Sequence, residues 1–467
     1  MSNILKLSRF NYFSSNENDD LLVYNFLNGL SSLTIVKKDV ADEFKKRYLS
    51  NIEELENSCQ MYTYTTELLT NAGILIGSNE DEFALYDSLY YEDALSSKLN
   101  LFILPTGKCN FNCTYCFESM EPFFRNTMTQ DAQKTLVKFL QRNIRNYTEV
   151  HISWFGGEPL LAASIINNLS DCFIQICSKR LLPYSAEITT NGFLLDIDMF
   201  DMLYNNKVYD FMVTIDGFRE HHNKQRVTHD GAGTYDVIMT NLIEIYKHKE
   251  YKFAHIRIRV NITKNLLNDL DNFISYIDNT FGDDSRFSFQ FSTVINFSGS
   301  DLPDNLYANS GDVISRLMKN TTYVHKYYSE SQKLIAIDPG QRCIASKKNA
   351  FVIAPDLSLY KCYSHYELKA NKIGQIKDNG DLQINVALHR KWYLKNEFTQ
   401  QIPESCQRCF YLPSCHYGNK VCPVRYIKDN CCRQPCPLES AYFRSKIDET
   451  IKYAAEHGPC RIISVIE

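Results

Sequence analysis

The 467-residue sequence predicts an α/β protein: a partial (βα)6 barrel, preceded by a winged-helix-like module and followed by a cysteine-rich domain. Three observations support this. Short apolar runs typical of strands alternate with helical stretches in the middle of the chain, which favours a parallel sheet. Two strand-like runs and two helical stretches come before them. Seven of the sixteen cysteines lie between Cys406 and Cys436, where little apolar sequence is available for a core. We therefore expect domains at 1–97, 98–334, 335–440 and 441–467, the last a helix and tail.

Composition limits the classes of function. The chain is 44% hydrophobic and 22% charged with a net charge of −5, so it offers no global case for binding nucleic acid or an anionic membrane. The N-terminal residues MSNILKLSRFNYF lack the apolar core of a secretory signal, and no apolar run approaches the length of a membrane span. We expect a cytoplasmic protein with no membrane or nucleic-acid partner.

The segment 1–97 begins with two apolar runs around Asn28-Gly29, a dipeptide that favours a hairpin. A second stretch ends at Gly73 and is typical of a helix. Before it, apolar residues recur at helical spacing. They are Phe44, Tyr48, Ile52 and Leu55.

Six strand-like runs follow between residues 98 and 334: LNLFILPT, VHISWFGG, SAEITTNG, DFMVTIDG, HIRIRVNIT and RFSFQFSTV. Polar and glycine-bearing motifs come directly after the first four runs. In parallel α/β barrels this edge of the sheet carries the chemistry. The motifs are the cysteine loop, Gly156-Gly157-Glu158, Thr190-Asn191-Gly192 and Asp216-Gly217.

The cysteine loop KCNFNCTYCFE places Cys109, Cys113 and Cys116 within eight positions. A structural zinc site takes four ligands, and no fourth cysteine lies nearby. Three thiolates can instead hold three irons of a [4Fe–4S] cluster and leave the fourth iron open to a small molecule. The loop resembles the signature of the radical S-adenosylmethionine (SAM) enzymes, and WFGGEPLL resembles their Gly-Gly-Glu motif.

The resemblance implies that the open iron chelates SAM, whose reductive cleavage yields a 5′-deoxyadenosyl radical that abstracts hydrogen from carbon. It places Gly156, Gly157 and Glu158 near the ammonium of SAM and Tyr115 near the adenine. It also gives four residues contacts to ribose or carboxylate: Asn191, Thr214, Asp216 and Arg226. Turn formation remains an alternative role for Asn191 and Asp216. No catalytic side chain is assigned.

The C-terminal cysteines resemble the SPASM extension, which carries two auxiliary [4Fe–4S] clusters. By that likeness one cluster takes Cys343, Cys362 and Cys422, and the other takes Cys406, Cys409, Cys415 and Cys436. The pattern departs from the family at three points. Leu357 replaces a glycine, the gap before Cys422 is longer than usual, and Cys431 and Cys432 compete with Cys436 as the closing ligand. Zinc is the alternative metal for the tail.

Three functions are compatible with these motifs. The first is maturation of a ribosomally made precursor peptide: the N-terminal module binds the leader, and the barrel installs a crosslink. A thioether is favoured, while carbon–carbon and ether bonds and epimerisation remain open. The second is anaerobic sulfatase maturation, whose enzymes carry an aspartate base where this chain has Tyr363. The third is non-catalytic electron transfer. Three [4Fe–4S] clusters, SAM and an electron donor such as flavodoxin or ferredoxin are expected partners of the enzyme.

Overall fold

The computed structural model describes most of the chain, and every structural statement below concerns the residues it describes. These are residues 5–49, 63–116, 126–294, 306, 308, 310–320, 322, 343–394, 406, 409–415, 423, 424, 438, 441–457 and 460–466. The chain forms two compact units. The first contains Met1–Ser96, Glu330–Lys347 and Tyr393–Glu467, and the second contains Ser97–Ser329 and Lys348–Trp392. The predicted four-domain division stays a prediction.

The first unit contains a four-stranded sheet in the order β16-β4-β3-β2 and a separate antiparallel pair of β1 and β5. Its strands are β1 (Leu5–Leu7), β2 (Asn11–Ser15), β3 (Leu21–Asn25), β4 (Thr34–Val36), β5 (Leu75–Gly77) and β16 (Arg461–Ile463). Its helices are α1 (Lys38–Phe44), α2 (Tyr64–Asn71), α3 (Glu82–Ala94) and α12 (Ala441–His457). Strand β16 pairs in parallel with β4, so a C-terminal strand completes the sheet of the N-terminal module.

The predicted hairpin around Asn28-Gly29 differs in its turn. Strands β3 and β4 are antiparallel neighbours, but a 3₁₀ turn at Gly29–Ser32 joins them instead of a two-residue loop. The hydroxyl of Ser32 accepts a hydrogen bond from the amide of Asn25 at 2.8 Å. This side-chain contact closes the longer connection, which the dipeptide signal alone does not reveal. Phe44 and Tyr48 are buried as predicted, and Ile52 and Leu55 lie outside the described residues.

The core of the first unit joins the N-terminal module to part of the cysteine-rich tail. Phe26 has no exposed surface, and its ring lies 5.6 Å from that of Phe410 and 5.2 Å from that of Tyr411. Ile447 and Ile451 of α12 belong to the same buried cluster. The tail segment around residues 409–415 is therefore anchored by apolar packing against the first 96 residues, in addition to any metal that it binds.

The second unit contains a ten-stranded mixed sheet in the order β11-β10-β9-β8-β7-β6-β12-β13-β14-β15. Strands β6 to β11 are parallel to one another, as the six strand-like runs predict. They are β6 (Lys98–Ile103), β7 (Glu149–Trp154), β8 (Tyr184–Thr190), β9 (Val208–Thr214), β10 (His255–Ile262) and β11 (Phe287–Thr293). The α/β class is confirmed.

Strand β12 extends the parallel set beside β6, and an antiparallel meander follows. Its members are β12 (Ala350–Ile353), β13 (Ser358–Tyr360), β14 (Lys372–Ile376) and β15 (Leu382–Ile384). The helices are α4 (Gln130–Asn143), α5 (Ala163–Ser178), α6 (Ile197–Asn205), α7 (Arg219–Gln225), α8 (Tyr235–Lys247), α9 (Lys264–Phe281), α10 (Ser310–Lys319) and α11 (Val386–Tyr393).

One stretch, Pro159–Ser178, is long and apolar enough to cross a membrane by length and composition alone. It contains helix α5, whose apolar stripe is buried inside the fold, with Ile166, Leu169 and Phe173 almost fully covered. A helix that buries one face in this way has the pattern of a core helix in an α/β fold.

Candidate functional site

The sequence motifs gather at the carboxyl ends of neighbouring parallel strands. The cysteine loop follows β6, Gly156-Gly157-Glu158 follows β7, Asn191 follows β8, and Asp216 follows β9. These four strands are consecutive in the sheet. Thr214, the last residue of β9, lies in the same row and is buried. The edge of the sheet that barrel enzymes use for chemistry therefore collects the predicted barrel-side site residues.

The two glycines after β7 allow the start of the cysteine loop to approach closely. Gly156 adopts φ +110°, a conformation that favours glycine. A Cβ on Gly157 would lie 2.4 Å from the carbonyl oxygen of Lys108, and the amide of Glu158 donates to that same oxygen at 2.8 Å. The glycines therefore position the cysteine loop, a role the sequence interpretation had assigned only towards the cofactor.

Glu158 is fully buried, and its carboxylate serves the protein itself. It accepts hydrogen bonds from the amide of Leu160 at 3.0 Å, the hydroxyl of Thr190 at 2.7 Å and the amide of Asn191 at 2.7 Å. Burial raises the pKa of Glu158, and these hydrogen bonds oppose that rise. A carboxylate offers about four acceptor positions, so three internal bonds leave room for one more donor. The predicted contact with an ammonium stays a prediction.

Asn191 makes a turn and also reaches the cysteine loop. Its side-chain oxygen accepts from the amide of Phe193 at 3.0 Å, which is the turn contact. Its amide nitrogen Nδ2 donates to Oδ1 of Asn110 at 2.7 Å, beside Cys109. Asn191 therefore has a third role besides the two that the sequence left open: it orients the cysteine loop.

The Tyr115 hydroxyl is the centre of a buried polar network. It donates to Oδ2 of Asp216, accepts from Nη1 of Arg226 at 2.9 Å, and accepts from Nδ2 of Asn261 at 3.1 Å. The other carboxylate oxygen of Asp216 accepts from the amide of Asn261 at 2.9 Å. Burial raises the pKa of Asp216, and the positive charge of Arg226 opposes that rise. The network ties the cysteine loop to the ends of β9 and β10. Asn261, in β10, is a site residue that the sequence interpretation missed.

A short segment after α7 clamps the cysteine loop along its length. The amide of Asn112 donates to the carbonyl of Val227 at 2.8 Å, and the amide of Thr114 donates to the carbonyl of Gln225 at 3.0 Å. The Thr114 hydroxyl also donates to the Gln225 side chain. His229 contacts the carbonyl oxygen of Cys109 at 3.0 Å. The family resemblance singled out Arg226 in this segment only as a cofactor contact, so only the fold reveals the clamp.

The buried imidazole of His222 stabilises the turn at Asp216. Its Nδ1 accepts from the amide of Asp216 at 3.2 Å, and its Nε2 lies 3.1 Å from the hydroxyl of Thr234. Thr234 donates in turn to the carbonyl of Arg226 at 2.6 Å, so Nε2 is the protonated nitrogen. Burial lowers the pKa of His222 well below its usual range, and Arg226 adds to the effect. His222 is therefore a neutral positioning residue.

The three thiols fit a cluster better than a single ion. Within the described residues, no three or more His, Cys, Asp or Glu side chains are arranged to hold one metal ion. The cysteine ligands of a [4Fe–4S] cluster bind different irons, so they need not converge on one point. Burial raises the pKa of Cys109 to about 12 and also raises the pKa of Cys113, which Arg226 opposes. Binding of iron must therefore displace protons from these thiols.

Arg226 supplies a second indication that a ligand binds here. The residue is only 7% exposed, and its Nε finds no hydrogen-bond acceptor within the part of the chain that the structure describes. Its guanidinium carbon lies 5.7 Å from the centre of the Phe111 ring. Phe111 stands between Cys109 and Cys113 in the sequence of the loop. Buried donors are nearly always satisfied, so this orphan fits an acceptor from a bound group.

The auxiliary cysteines are described in part. Cys362 is buried after β13, where Oδ1 of Asn371 accepts from its amide at 2.7 Å and Nδ2 of Asn371 donates to its carbonyl at 2.7 Å. Leu357, which stands where the family has glycine, adopts φ +66° and so keeps the backbone that the glycine would favour. Asn371 is a second residue that the sequence interpretation missed.

Cys406, Cys409 and Cys415 lie in the first unit. The amide of Cys409 donates to the carbonyl of Cys406 at 3.1 Å, and Cys415 is buried beside Tyr411. Cys343 precedes a 3₁₀ turn at Ile344–Ser346. The remaining predicted ligands lie outside the described residues, so both auxiliary ligand sets stay predictions. These residues are Cys422, Cys431, Cys432 and Cys436.

Comparison with known proteins agrees with this site. A model of the Radical SAM superfamily matches residues 103–257. A cysteine-type anaerobic sulfatase-maturating enzyme of Clostridium perfringens (strain 13 / Type A) is 23% identical over 385 residues, covering 76% of this chain and 96% of that enzyme. The radical SAM cyclopropyl synthase TigE of Paramaledivibacter caminithermalis is 25% identical over 162 residues, covering 32% of this chain and 33% of the synthase.

The fold also resembles a solved structure of anSMEcpe with bound AdoMet, at a TM-score of 0.58 and 20% identity. That likeness covers 77% of this chain and 97% of the solved one. The match to the superfamily model spans the cysteine loop and includes Tyr115, Asp216 and Arg226 of the buried network. Residues 103–257 therefore form a domain of the Radical SAM superfamily, and the chain is a radical S-adenosylmethionine enzyme.

Proposed function

We propose that the chain is a cytoplasmic maturase that modifies a ribosomally made precursor peptide. Hydrogen abstraction from the core of that peptide leads to a crosslink, with a thioether favoured and carbon–carbon or ether bonds as the alternatives. Three [4Fe–4S] clusters and SAM serve the reaction, and flavodoxin or ferredoxin supplies the electron. The N-terminal module, winged-helix-like in its strands and helices, binds the leader of the peptide, and the C-terminal domain holds the two auxiliary clusters.

One observation carries the choice of a peptide crosslink over sulfatase maturation. The position directly after Cys362 is Tyr363, where the sulfatase-maturating enzymes are expected to carry an aspartate base. The ring of Tyr363 stacks on Phe102 at 5.4 Å and contacts Phe155 at 5.2 Å. A phenol packed between two aromatic rings at this place does not supply the carboxylate base of that reaction.

The size of the chain supports a separate recognition module. The Clostridium perfringens relative is covered almost completely by an alignment that takes 76% of this chain, so about a quarter of this chain lies outside it. The N-terminal part of the first unit, Met1–Ser96, is of similar size. The sheet that β2, β3 and β4 form together with β16 gives the module a surface on which a peptide can dock.

The cofactors, when bound, supply reductive cleavage of SAM and hence abstraction of hydrogen from carbon. Cys109, Cys113 and Cys116 would hold the cluster. The chain's own residues orient this loop: Gly157 admits its first turn, Asn191 and Tyr115 hold its two ends, and Arg226 offers a buried donor to the bound group.

Sulfatase maturation is the second candidate, because the relatives aligned over most of their length are sulfatase-maturating enzymes. The two candidates predict different products. We would incubate the reduced enzyme and SAM with any small protein that the genes beside this one encode, and separately with a peptide carrying a sulfatase cysteine motif. Loss of two hydrogen atoms from the first substrate, located to a crosslink by fragmentation, is the expected result. Oxidation of the cysteine in the second substrate alone would replace the proposal with the sulfatase function.

A further inference from the structure

The N-terminal module contains a groove that the radical chemistry does not use. It is a cavity of about 420 Å³, within the range of roughly 300–1,000 Å³ that ligand pockets occupy. Its floor is apolar, with Leu27, Leu75 and Ile76 almost fully buried. Leu85 and Leu89 of α3 form one wall, and they are 42% and 36% exposed. All of these residues lie within Met1–Ser96, so the groove belongs to a single unit.

Helix α3 has two apolar faces, and this explains why the groove exists. Tyr86 and Tyr90 are spaced one turn apart and are buried in the protein core. Leu85 and Leu89 share the same spacing on a neighbouring face, which turns towards the groove. The protein itself covers the first pair. The second pair leaves two leucines aligned in water, which costs free energy unless another molecule covers them.

The mouth of the groove is acidic. Glu80 and Glu92 line it, are exposed, and form no ion pair with any described side chain. The third carboxylate, Glu82, is buried and occupied: it accepts from the amide of Arg9 at 3.1 Å and pairs with the Arg9 guanidinium at 3.3 Å. Lys6 lies nearby, but its ammonium donates to backbone carbonyl oxygens. The carboxylates of Glu80 and Glu92 are therefore available to a bound ligand.

Hydrogen bonds from two asparagines fix the backbone of the floor at Ala72 and Gly73. Gly73 adopts φ +70° after α2, and Nδ2 of Asn25 donates to its carbonyl at 3.0 Å. Nδ2 of Asn28 donates to the carbonyl of Ala72 at 3.4 Å and fills the space where a Cβ on Gly73 would stand. A preformed surface lowers the entropy cost of binding a flexible peptide.

We infer that this groove docks a segment of the precursor peptide with two apolar side chains about one helical turn apart, next to a lysine or arginine. The apolar pair covers Leu85 and Leu89, and the basic residue faces Glu80 and Glu92. The inference rests on the proposed function for the identity of the occupant. The peptide would not dock at the β4 edge of the sheet, because β16 of this chain already pairs with β4 from Arg461 to Ile463.

Binding is tested without knowing the precursor. We would select binders to the full-length enzyme from a displayed library of random short peptides and measure the best binder by fluorescence anisotropy. The variants are Leu85→Asp, Leu89→Asp and the double variant Glu80→Gln/Glu92→Gln. Leu95→Asp is the matched control: Leu95 is 44% exposed, directly follows α3 and does not line the groove. Circular dichroism and the unfolding midpoint show whether each variant is folded.

We expect binders with an apolar pair and a basic residue, weakened about tenfold by each leucine variant and unchanged by the control. The double glutamine variant weakens binding several-fold and reduces its dependence on salt, because exposed charges are screened. Selected peptides that bind the leucine variants as tightly as the parent would show that the groove is not the docking site. Binding at the free edge of β2 would be one such result. If groove binding follows this pattern while the neighbouring small protein stays unmodified, the groove stands and the proposed function fails.

Discussion

The Tyr115 hydroxyl accepts a hydrogen bond from Nη1 of Arg226 at 2.9 Å, joining the cysteine loop to the segment after α7. The two residues are 111 positions apart, and the same hydroxyl donates to Asp216 at the end of β9. A single phenol thus holds a carboxylate and a guanidinium in one buried network beside Cys113 and Cys116. Because Tyr115 lies between Cys113 and Cys116, its hydrogen bonds connect the cysteine loop to the sheet.

Tyr115→Phe should therefore weaken cofactor use while keeping the ring. Removing the hydroxyl leaves buried partners at Asp216, Arg226 and Asn261 with lost hydrogen bonds, and such losses cost about 1–3 kcal/mol. We expect SAM cleavage, followed as 5′-deoxyadenosine, to fall about tenfold or more. Tyr246→Phe is the control, since it removes a hydroxyl that donates to Asp283 at the surface and keeps the ring. Equal rates for Tyr115→Phe and the parent would show that the network does not position the loop.

Gly157→Ala should displace the cysteine loop. The added Cβ meets the backbone oxygens of Lys108 and Gly107 at 2.4 and 2.6 Å, and backbone atoms cannot move aside as a flexible side chain can. We expect iron bound at the barrel loop and 5′-deoxyadenosine formation to drop at least tenfold. Gly231→Ala is the comparison: a Cβ there meets no atom within 4 Å, so any effect of that variant comes from the positive φ of Gly231 alone. A Gly157→Ala enzyme with normal iron content would contradict the close approach.

Phe26→Ala, a substitution in the N-terminal module, should destabilise the tail segment around residues 409–415. The side chain is fully buried against Phe410 and Tyr411, and removing a buried phenylalanine costs about 3–5 kcal/mol. We expect faster proteolysis of the tail segment and loss of auxiliary iron. Phe13→Ala, at a side chain that is 37% exposed, should leave both unchanged. For the same reason, deleting the first 90 residues should damage the proposed auxiliary sites as well as the proposed binding of the leader. Retained iron in Phe26→Ala would mean that metal alone holds the tail.

His389 gives the second unit a stability that depends on pH. Burial lowers the pKa of His389 to about 4, while an unfolded histidine titrates near 6.5. The unfolded state therefore binds more protons between these values, and stability falls as the pH drops from 6.5 towards 4, by about 2 kcal/mol at pH 5. Urea unfolding of His389→Gln should lack this part of the pH dependence. An unchanged slope in the variant would assign the effect to other groups.

Sequence patterns predicted the frame of the site because each motif is local. The alternation of residues in six strands sets the sheet, and motifs that directly follow parallel strands must share one edge. Gly156 and Gly157 were identified, but the close approach of Gly156 to Thr106 and of Gly157 to Lys108 depends on two separate strands being neighbours. The same limit explains why Asn261 was missed: it makes its contacts only after folding.

The N-terminal module shows a different limit. Helix α3 is apolar on two faces, so its periodicity is weak in the sequence even though the helix is regular. Strand β16 is only three residues long and lies more than 400 positions from its partner β4, so no local pattern predicts the pairing. Tertiary packing decides both features.

The most direct test of the central claim is iron content and 5′-deoxyadenosine formation, measured on the parent enzyme and on Cys109→Ala, Cys113→Ala and Cys116→Ala. Dithionite reduces each reconstituted protein before SAM is added. The account predicts about twelve irons and product formation for the parent, and about eight irons with no product for each variant, by the arithmetic of four-iron clusters. Formation of 5′-deoxyadenosine by any of the three variants would contradict the assignment of this loop as the SAM cluster site.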